Sequence, residues 1–370
     1  MTQTQKDRDA LREWAVFYES GLRRQKSDVN LTQAQIAKDR ARLEADPIEW
    51  ISFFFPEYCK FEFAVFQIKA IRRCIKHEEW FEVLSWARGL AKSTTVMFIV
   101  MYLALTKKKC NVMMASATQD SAVRLLDPYK KQFEENAMIR AYYGVQVNLG
   151  NWCAEEFVAK CGCSFRAVGA GNAPRGSRNG AVRPDVLLVD DFDTDEGCRN
   201  PDTIDKNWTW WEKALYGTRD TAVKTLIVFC GNIIARDCCV VRAGHMADHW
   251  DVVNIRDEKG YSTWPSKNTE ESIDIALSKI STAAQQTEYF NNPVTEGEVF
   301  KEITYGKVPD LKKFQFLIRI EEEKQKDQRE SRDHHIAVCH IKNREINQLK
   351  IQEIHHIFLC QTVDHIANCA

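Results

Sequence analysis

WARGLAKSTT, residues 86–95, sits between a short strand candidate at 82–85 and an unbroken apolar run, Val96–Leu105. That order of strand, loop and helix is what a phosphate-binding loop requires. Free N–H groups at a helix N-terminus point at an anion, and the helix dipole favours it. In such a loop Lys92 reaches the β- and γ-phosphates of a nucleotide and Ser93 offers its hydroxyl to Mg²⁺. The spacing departs from G-x-x-x-x-G-K-[ST]. Trp86 stands at the first glycine position and Ala91 at the second. Ala91 is small enough for a close backbone approach, and Gly89 supplies freedom inside the loop.

Downstream, RPDVLLVDDFD, residues 183–193, carries four apolar residues into Asp190 and Asp191. A buried strand that delivers carboxylates beside a phosphate loop is how P-loop ATPases hold their metal. Asp190 is the expected metal partner, with Ser93, and Asp191 the expected base that orients water. Glu196 is a rival for that base. Asp193, Asp195 and Glu196 read as a solvated acidic loop.

Further strands are expected at 110–115, 186–189 and 224–229, with a hairpin at 157–159 and 164–168 around Cys161-Gly162. Buried parallel strands read as continuous apolar runs, and helices between them imply right-handed crossovers. The fold class expected is therefore α/β, a P-loop NTPase with a mostly parallel central sheet. A small helical lid is expected from the N-terminal helices and residues 245–300.

The chain has 370 residues with 44% hydrophobic and 28% charged, enough for a large buried core. Its ten-residue apolar run is half the roughly 20 residues that a membrane span needs, so no membrane partner is expected. The polar start, MTQTQKDRDALREW, has no apolar signal core. A net charge of -1 leaves nucleic acid open, because binding needs only local Lys and Arg at the phosphates. The thirteen cysteines include no Cys-x-x-Cys pair and read as reduced thiols.

Taken together, these segments resemble the large terminase subunits of tailed phages, the ATPases that package DNA. In that family's phosphate loop an Arg precedes the Lys by four residues, as Arg88 precedes Lys92. The resemblance implies that Arg88 senses phosphate or stabilises the transition state. It adds FAVFQIKAIRRC (63–74), with Gln67 reading the adenine, and MMASATQDSA (113–122) after the first crossover. AVGAGNAPRGSRNGAVRPDVLLVDD (167–191) leads through Arg175-Gly176 into the carboxylate strand. VFCGNIIARD (228–237) holds a coupling motif at Gly231-Asn232, and TWPSKN (263–268) and EYFNNPV (288–294) close the region. The implied site is Gln67 with Arg88, Gly89, Leu90, Ala91, Lys92, Ser93 and Thr94 on the nucleotide. Arg88, Lys92 and Asp191 would be catalytic, with ATP and Mg²⁺ bound.

What the family implies further is a homo-oligomeric ring on a procapsid, in the cytoplasm of a bacterial host. Its partners would be double-stranded DNA, a portal protein and a small terminase subunit. Alternatives are a helicase-like ATPase and an inactive remnant. Here Asp191 replaces the family's usual Glu, and Cys230-Gly231-Asn232 replaces a hydroxyl-rich motif.

The expected organisation is a helical segment at 1–45, an ATPase domain at 46–300 and a linker at 301–318. A charged, His-rich tail at 319–370 would stand where the family has its nuclease. That tail has no Gly, Pro or Trp but six of the nine histidines. Asp327 and Asp333 sit in a charged helical run and read as unsuited to be nuclease ligands, and a gene disruption near residue 318 would explain the break.

Overall fold

The computed structural model describes residues 31–174 and 178–293, and three short strands beyond them. Arg175-Gly176, Asp327 and Asp333 lie outside the described residues, as do residues 1–30 and most of the expected linker and tail. Residues 1–293 form one compact unit and 294–370 a second.

The chain enters the described part through α1 (Gln33–Ala45), started by a capping box. Gln35 N–H donates to Thr32 Oγ1, and the Gln35 side chain accepts from Thr32 N–H. Asp46 ends α1 and caps α2 (Pro47–Phe54), where Pro47 lacks only an N–H that the first turn cannot use. Ile36 and Leu43 of α1 turn inward, and Trp50, Ile51 and Phe54 of α2 are buried. Next come α3 (Val65–Lys76), β1 (Trp80–Trp86) and α4 (Lys92–Leu105). Every residue of α4 from Thr95 onward is buried. A helix apolar all round must be enclosed, and α4 lies under α2, α3 and α5.

The chain continues through β2 (Asn111–Ser116), α5 (Gln119–Glu135), α6 (Ala137–Tyr143), β3 (Glu156–Val158), β4 (Ser164–Gly169) and β5 (Val186–Asp190). It then forms α7 (Pro201–Trp210), β6 (Leu226–Cys230), α8 (Cys239–Met246), β7 (His249–Val253), α9 (Glu270–Leu277) and α10 (Thr282–Phe290). The seven strands line up as β3-β4-β2-β5-β6-β1-β7, and every pairing is parallel except β3 with β4. This is the expected α/β architecture around a phosphate loop, with one strand, β6, between the loop strand and the carboxylate strand.

Alternation along each strand divides the core in two. Leu84, Val112, Leu188 and Val228 face the layer of α1 to α6. Val83, Met113, Leu187 and Ile227 face α7 and α8, with Trp211 and Phe229. Burying each such side chain contributes about 1.5–3 kcal/mol.

Strand β7 has no counterpart in the sequence reading. Its residues, HWDVV, are polar in alternation and only partly buried, as an edge allows. Arg73 joins Asp251 of β7 at 3.0 Å to the fully buried Glu82 of β1 at 2.5 Å, and Trp80 Nε1 also donates to Glu82. So part of the expected lid segment is sheet. Both lid segments lie in the same compact unit as the strands.

In the second unit β8 (Ile318–Ile320), β9 (His335–Ala337) and β10 (Cys360–Thr362) form an antiparallel sheet in the order β10-β9-β8. The charged helical run expected around Asp327 and Asp333 lies outside the described residues. Among the described residues no helix is long and apolar enough to cross a membrane.

Candidate active site

The loop after β1 is held from outside at nearly every peptide. Ala87 N–H donates to Val253 O at 2.7 Å and Arg88 N–H to Glu288 O at 2.8 Å. The Gly89 carbonyl accepts from Lys267 Nζ at 2.7 Å, and the Leu90 carbonyl from Gln67 Nε2 at 3.3 Å. Two left-handed residues turn the chain, Gly89 at φ 85° and Ala91 at φ 58°. Ala91 is the N-cap of α4, and its carbonyl accepts both the N–H and the hydroxyl of Thr95. The N–H groups of Lys92, Ser93 and Thr94 have no carbonyl four residues back within the helix. Such free N–H groups at a helix start suit an anion.

Strand β5 brings Asp190 across the helix start. Ser93 Oγ donates to Asp190 Oδ2 at 2.5 Å. Asp190 is buried and its Oδ1 has no partner. Burial, reinforced by Asp191, pushes its carboxyl up to about 6, against the pull of Lys92 and the Ser93 hydroxyl. An orphaned carboxylate oxygen beside a hydroxyl is the oxygen donor set of a hard divalent cation, so these residues fit Mg²⁺. Asp191 follows in the left-handed region at φ 46°, a conformation that costs a non-glycine residue about 1–2 kcal/mol. Hydrogen bonds from Ala117 N–H and Ser116 Oγ to its carbonyl hold it there. Its side chain is exposed in the cleft.

Strand β6 delivers Gly231 and Asn232 between these two elements. A side chain at Gly231 would lie 3.3 Å from Val240 Cβ. Asn232 Oδ1 accepts from Lys92 Nζ at 2.9 Å, and its Nδ2 donates to Glu288 O at 2.8 Å. Glu288, on α10, also pairs with Arg88, Nε to Oε2 at 2.9 Å. Asn291, left-handed after α10, donates to Ser85 O and Val253 O and accepts from Ile233 N–H. One short helix end therefore ties β1, β7 and the Gly231-Asn232 turn together.

The structure thus gathers Arg88, Gly89, Ala91, Lys92, Ser93, Thr94, Asp191, Gly231 and Asn232 on a cleft of about 590 Å³, a size suited to a small-molecule ligand. Three expected residues differ in placement. Asp190 lines a neighbouring cavity rather than this cleft, joined to it through Ser93. Gln67 is buried beneath the loop, with Oε1 accepting from Ala64 N–H and Nε2 donating to Leu90 O. It supports the loop rather than lining the cleft. Leu90 is fully buried and offers only its backbone. Asp193 is not a solvated loop residue, since it accepts from the N–H groups of Cys239 and Val240 and so caps α8. Asp195 lines the cleft and Glu196 is exposed nearby. Glu288, Lys267 and Asn291 lie in segments the sequence reading marked, but with no role assigned. The Lys267–Gly89 and Asn291–Ser85 contacts join residues 178 and 206 positions apart, which no local pattern reveals.

No protein-family model matches the chain, and no curated protein does. Among solved structures it is similar to the large terminase of bacteriophage HK97, at 12% identity and a TM-score of 0.44, over 62% of this chain and 50% of that one. It is also similar to the large terminase ATPase domain of Thermus phage P74-26, in the form of an arginine-to-alanine mutant. That likeness has 15% identity and a TM-score of 0.35, over 58% of this chain and 88% of that one. The chain thus matches half the length of the HK97 protein.

Proposed function

We propose that this chain hydrolyses ATP and serves as the motor subunit that moves viral double-stranded DNA into a procapsid. The observation that carries the ATPase reading is the convergence of Lys92, Ser93, Asp191 and Asn232 on one cleft, with the Ser93 hydroxyl bonded to the buried Asp190 beside it. The packaging role rests on the order and spacing of the motifs along the chain. With it come a portal protein, a small terminase subunit and a ring of copies in the host cytoplasm as partners and setting.

In this reading the N–H groups at the start of α4 and Lys92 hold the β- and γ-phosphates. Asp190 and Ser93 hold Mg²⁺, which neutralises phosphate charge when bound. Asp191 accepts a hydrogen bond from water and takes its proton as the water oxygen bonds to the γ-phosphorus. The bond from that phosphorus to the bridging oxygen breaks, and its electron pair stays on ADP. Arg88 and Lys92 stabilise the charge of the transferring group. Lys92 must exchange Asn232 for phosphate, and Asn232 is bonded to α10, so nucleotide occupancy is passed to the Glu288 helix.

The test is release of phosphate from ATP by the purified chain, with and without double-stranded DNA. Turnover that rises with DNA and needs a divalent cation supports the proposal. No turnover under either condition overturns it.

A further inference from the structure

A second cavity, of about 430 Å³, lies on the far side of the carboxylates, between α4, α5 and the ends of β2 and β5. Ser93, Thr94 and Asp191 line both this cavity and the nucleotide cleft, so the two adjoin. Among its lining residues is Tyr129, 1% exposed, whose hydroxyl has no partner. Buried polar atoms are paired in the great majority of cases. The Tyr129 hydroxyl is thus left to donate to a polar group that enters the cavity, since Asp190 serves the metal site.

The solvent end carries Arg124, an exposed residue on α5 with no hydrogen bond or ion pair among the described residues. It is the sole cation among the described residues of the cavity wall, whereas Asp190 and Asp191 lie at the inner end. Pro128, four residues on, has no N–H to give to the Arg124 carbonyl, and its ring pushes that carbonyl aside. The Arg124 carbonyl therefore lacks its helical partner beside the cavity. An anion released near Asp190 and Asp191 is repelled at the floor and attracted at the mouth. The apolar wall from Met97 and Leu125 lowers the dielectric and strengthens both effects.

We propose that this cavity is the exit path for inorganic phosphate after hydrolysis, and that Arg124 receives the departing ion while ADP leaves through the nucleotide cleft. The inference rests on the ATPase reading and adds a separate route for one product. Arg124 acts after the bond to ADP has broken. It belongs to the release step, not to the chemistry.

The test compares two clocks in a single turnover of Mg-ATP on the full chain. Chemical quench reads bond cleavage, and a fluorescent phosphate-binding sensor reads free phosphate. Arg124→Ala should leave the quench rate at the parental value and slow the sensor signal about tenfold, the worth of one charge-assisted hydrogen bond. Arg124→Lys should restore part of the rate. Tyr129→Phe, which removes the orphan hydroxyl and little volume, should slow the same step. Parental sensor rates in Arg124→Ala overturn the exit path and leave the ATPase reading standing. A slowed quench in that variant overturns it too, by placing Arg124 in the chemistry. A parent chain with no quench signal overturns the ATPase reading, and the exit path with it.

Discussion

Arg88 and Glu288 are joined twice, by an ion pair of 2.9 Å between side chains and by a 2.8 Å hydrogen bond from the Arg88 N–H to the Glu288 carbonyl. The second contact survives any change of the side chain, so the two roles separate. The Arg88 side chain is 70% exposed, and exposed ion pairs contribute about 0–1 kcal/mol. The pair therefore holds the guanidinium in place at little energetic cost to release. Glu288→Gln should remove a carboxylate that competes with phosphate, lowering KM for ATP by about threefold, within the range of such a pair, with the melting temperature unchanged. A higher KM would show that Glu288 orients Arg88 for binding instead. Arg88→Ala should lower kcat by about 10³ or more, as loss of an arginine finger does. A fall in affinity alone, with kcat intact, assigns Arg88 to the ground state.

Lys92→Ala should abolish turnover and leave the fold intact, because the side chain touches the cleft and Asn232 rather than the core. Asn232→Ala should act differently. It frees Lys92 in the empty site but cuts the link to α10, so basal ATP turnover should persist while its stimulation by DNA falls. Turnover of Lys92→Ala above about a tenth of the parental rate contradicts the phosphate-loop assignment, since this lysine meets the phosphates in every step.

Asp190 and Asp191 should differ in kind. Burial holds the Asp190 carboxyl up to about 6 in the folded chain, against 3.8 ordinarily. Its ionisation therefore opposes folding. The penalty is absent below about pH 4 and complete above about pH 6. Asp190→Asn should stabilise the nucleotide-free chain by about 1–3 kcal/mol at about pH 8, the worth of a carboxyl raised this far, with no gain at about pH 4. The same variant should need far more Mg²⁺ to bind nucleotide. Asp191→Asn should bind Mg-ATP normally and fail to hydrolyse it. Thermal melts across this pH range, paired with magnesium titrations, separate the two. Equal loss of metal binding in both variants reverses the assignment.

Ala91 occupies a left-handed position at φ 58°, ψ 37°. Strain there is about 1–2 kcal/mol, partly offset by the smaller unfolded-state entropy of alanine, about 0.4–1 kcal/mol. Ala91→Gly should stabilise the chain by about 0.5–1 kcal/mol on that balance, and Ala91→Val should destabilise it. Urea melts read both. A destabilised glycine variant would mean that the Ala91 methyl group packs more than it strains.

The sequence by itself determined most of the elements and the positions of the loop and carboxylate residues. Val96–Leu105 could only be an enclosed helix, and Val186–Val189 only an enclosed strand, because apolar runs of those lengths have no other stable setting. Lys92, Ser93, Asp190 and Asp191 were legible because a loop between strand and helix, and a strand ending in carboxylates, are local patterns. What only the tertiary structure decided is which distant groups meet them. The Arg73 guanidinium makes His249–Val253 an edge strand, by holding the buried Glu82 together with Asp251, which lies 178 positions further along the chain than the arginine. Gln67 lies beneath the loop because Leu90 offers it a carbonyl. Glu288, Lys267 and Asn291 reach the site only once β7 has docked beside β1 and α10 has followed it. Their side chains carry no periodicity, and hydrogen bonds that close loops of this length are specified by packing, not by neighbours in the chain.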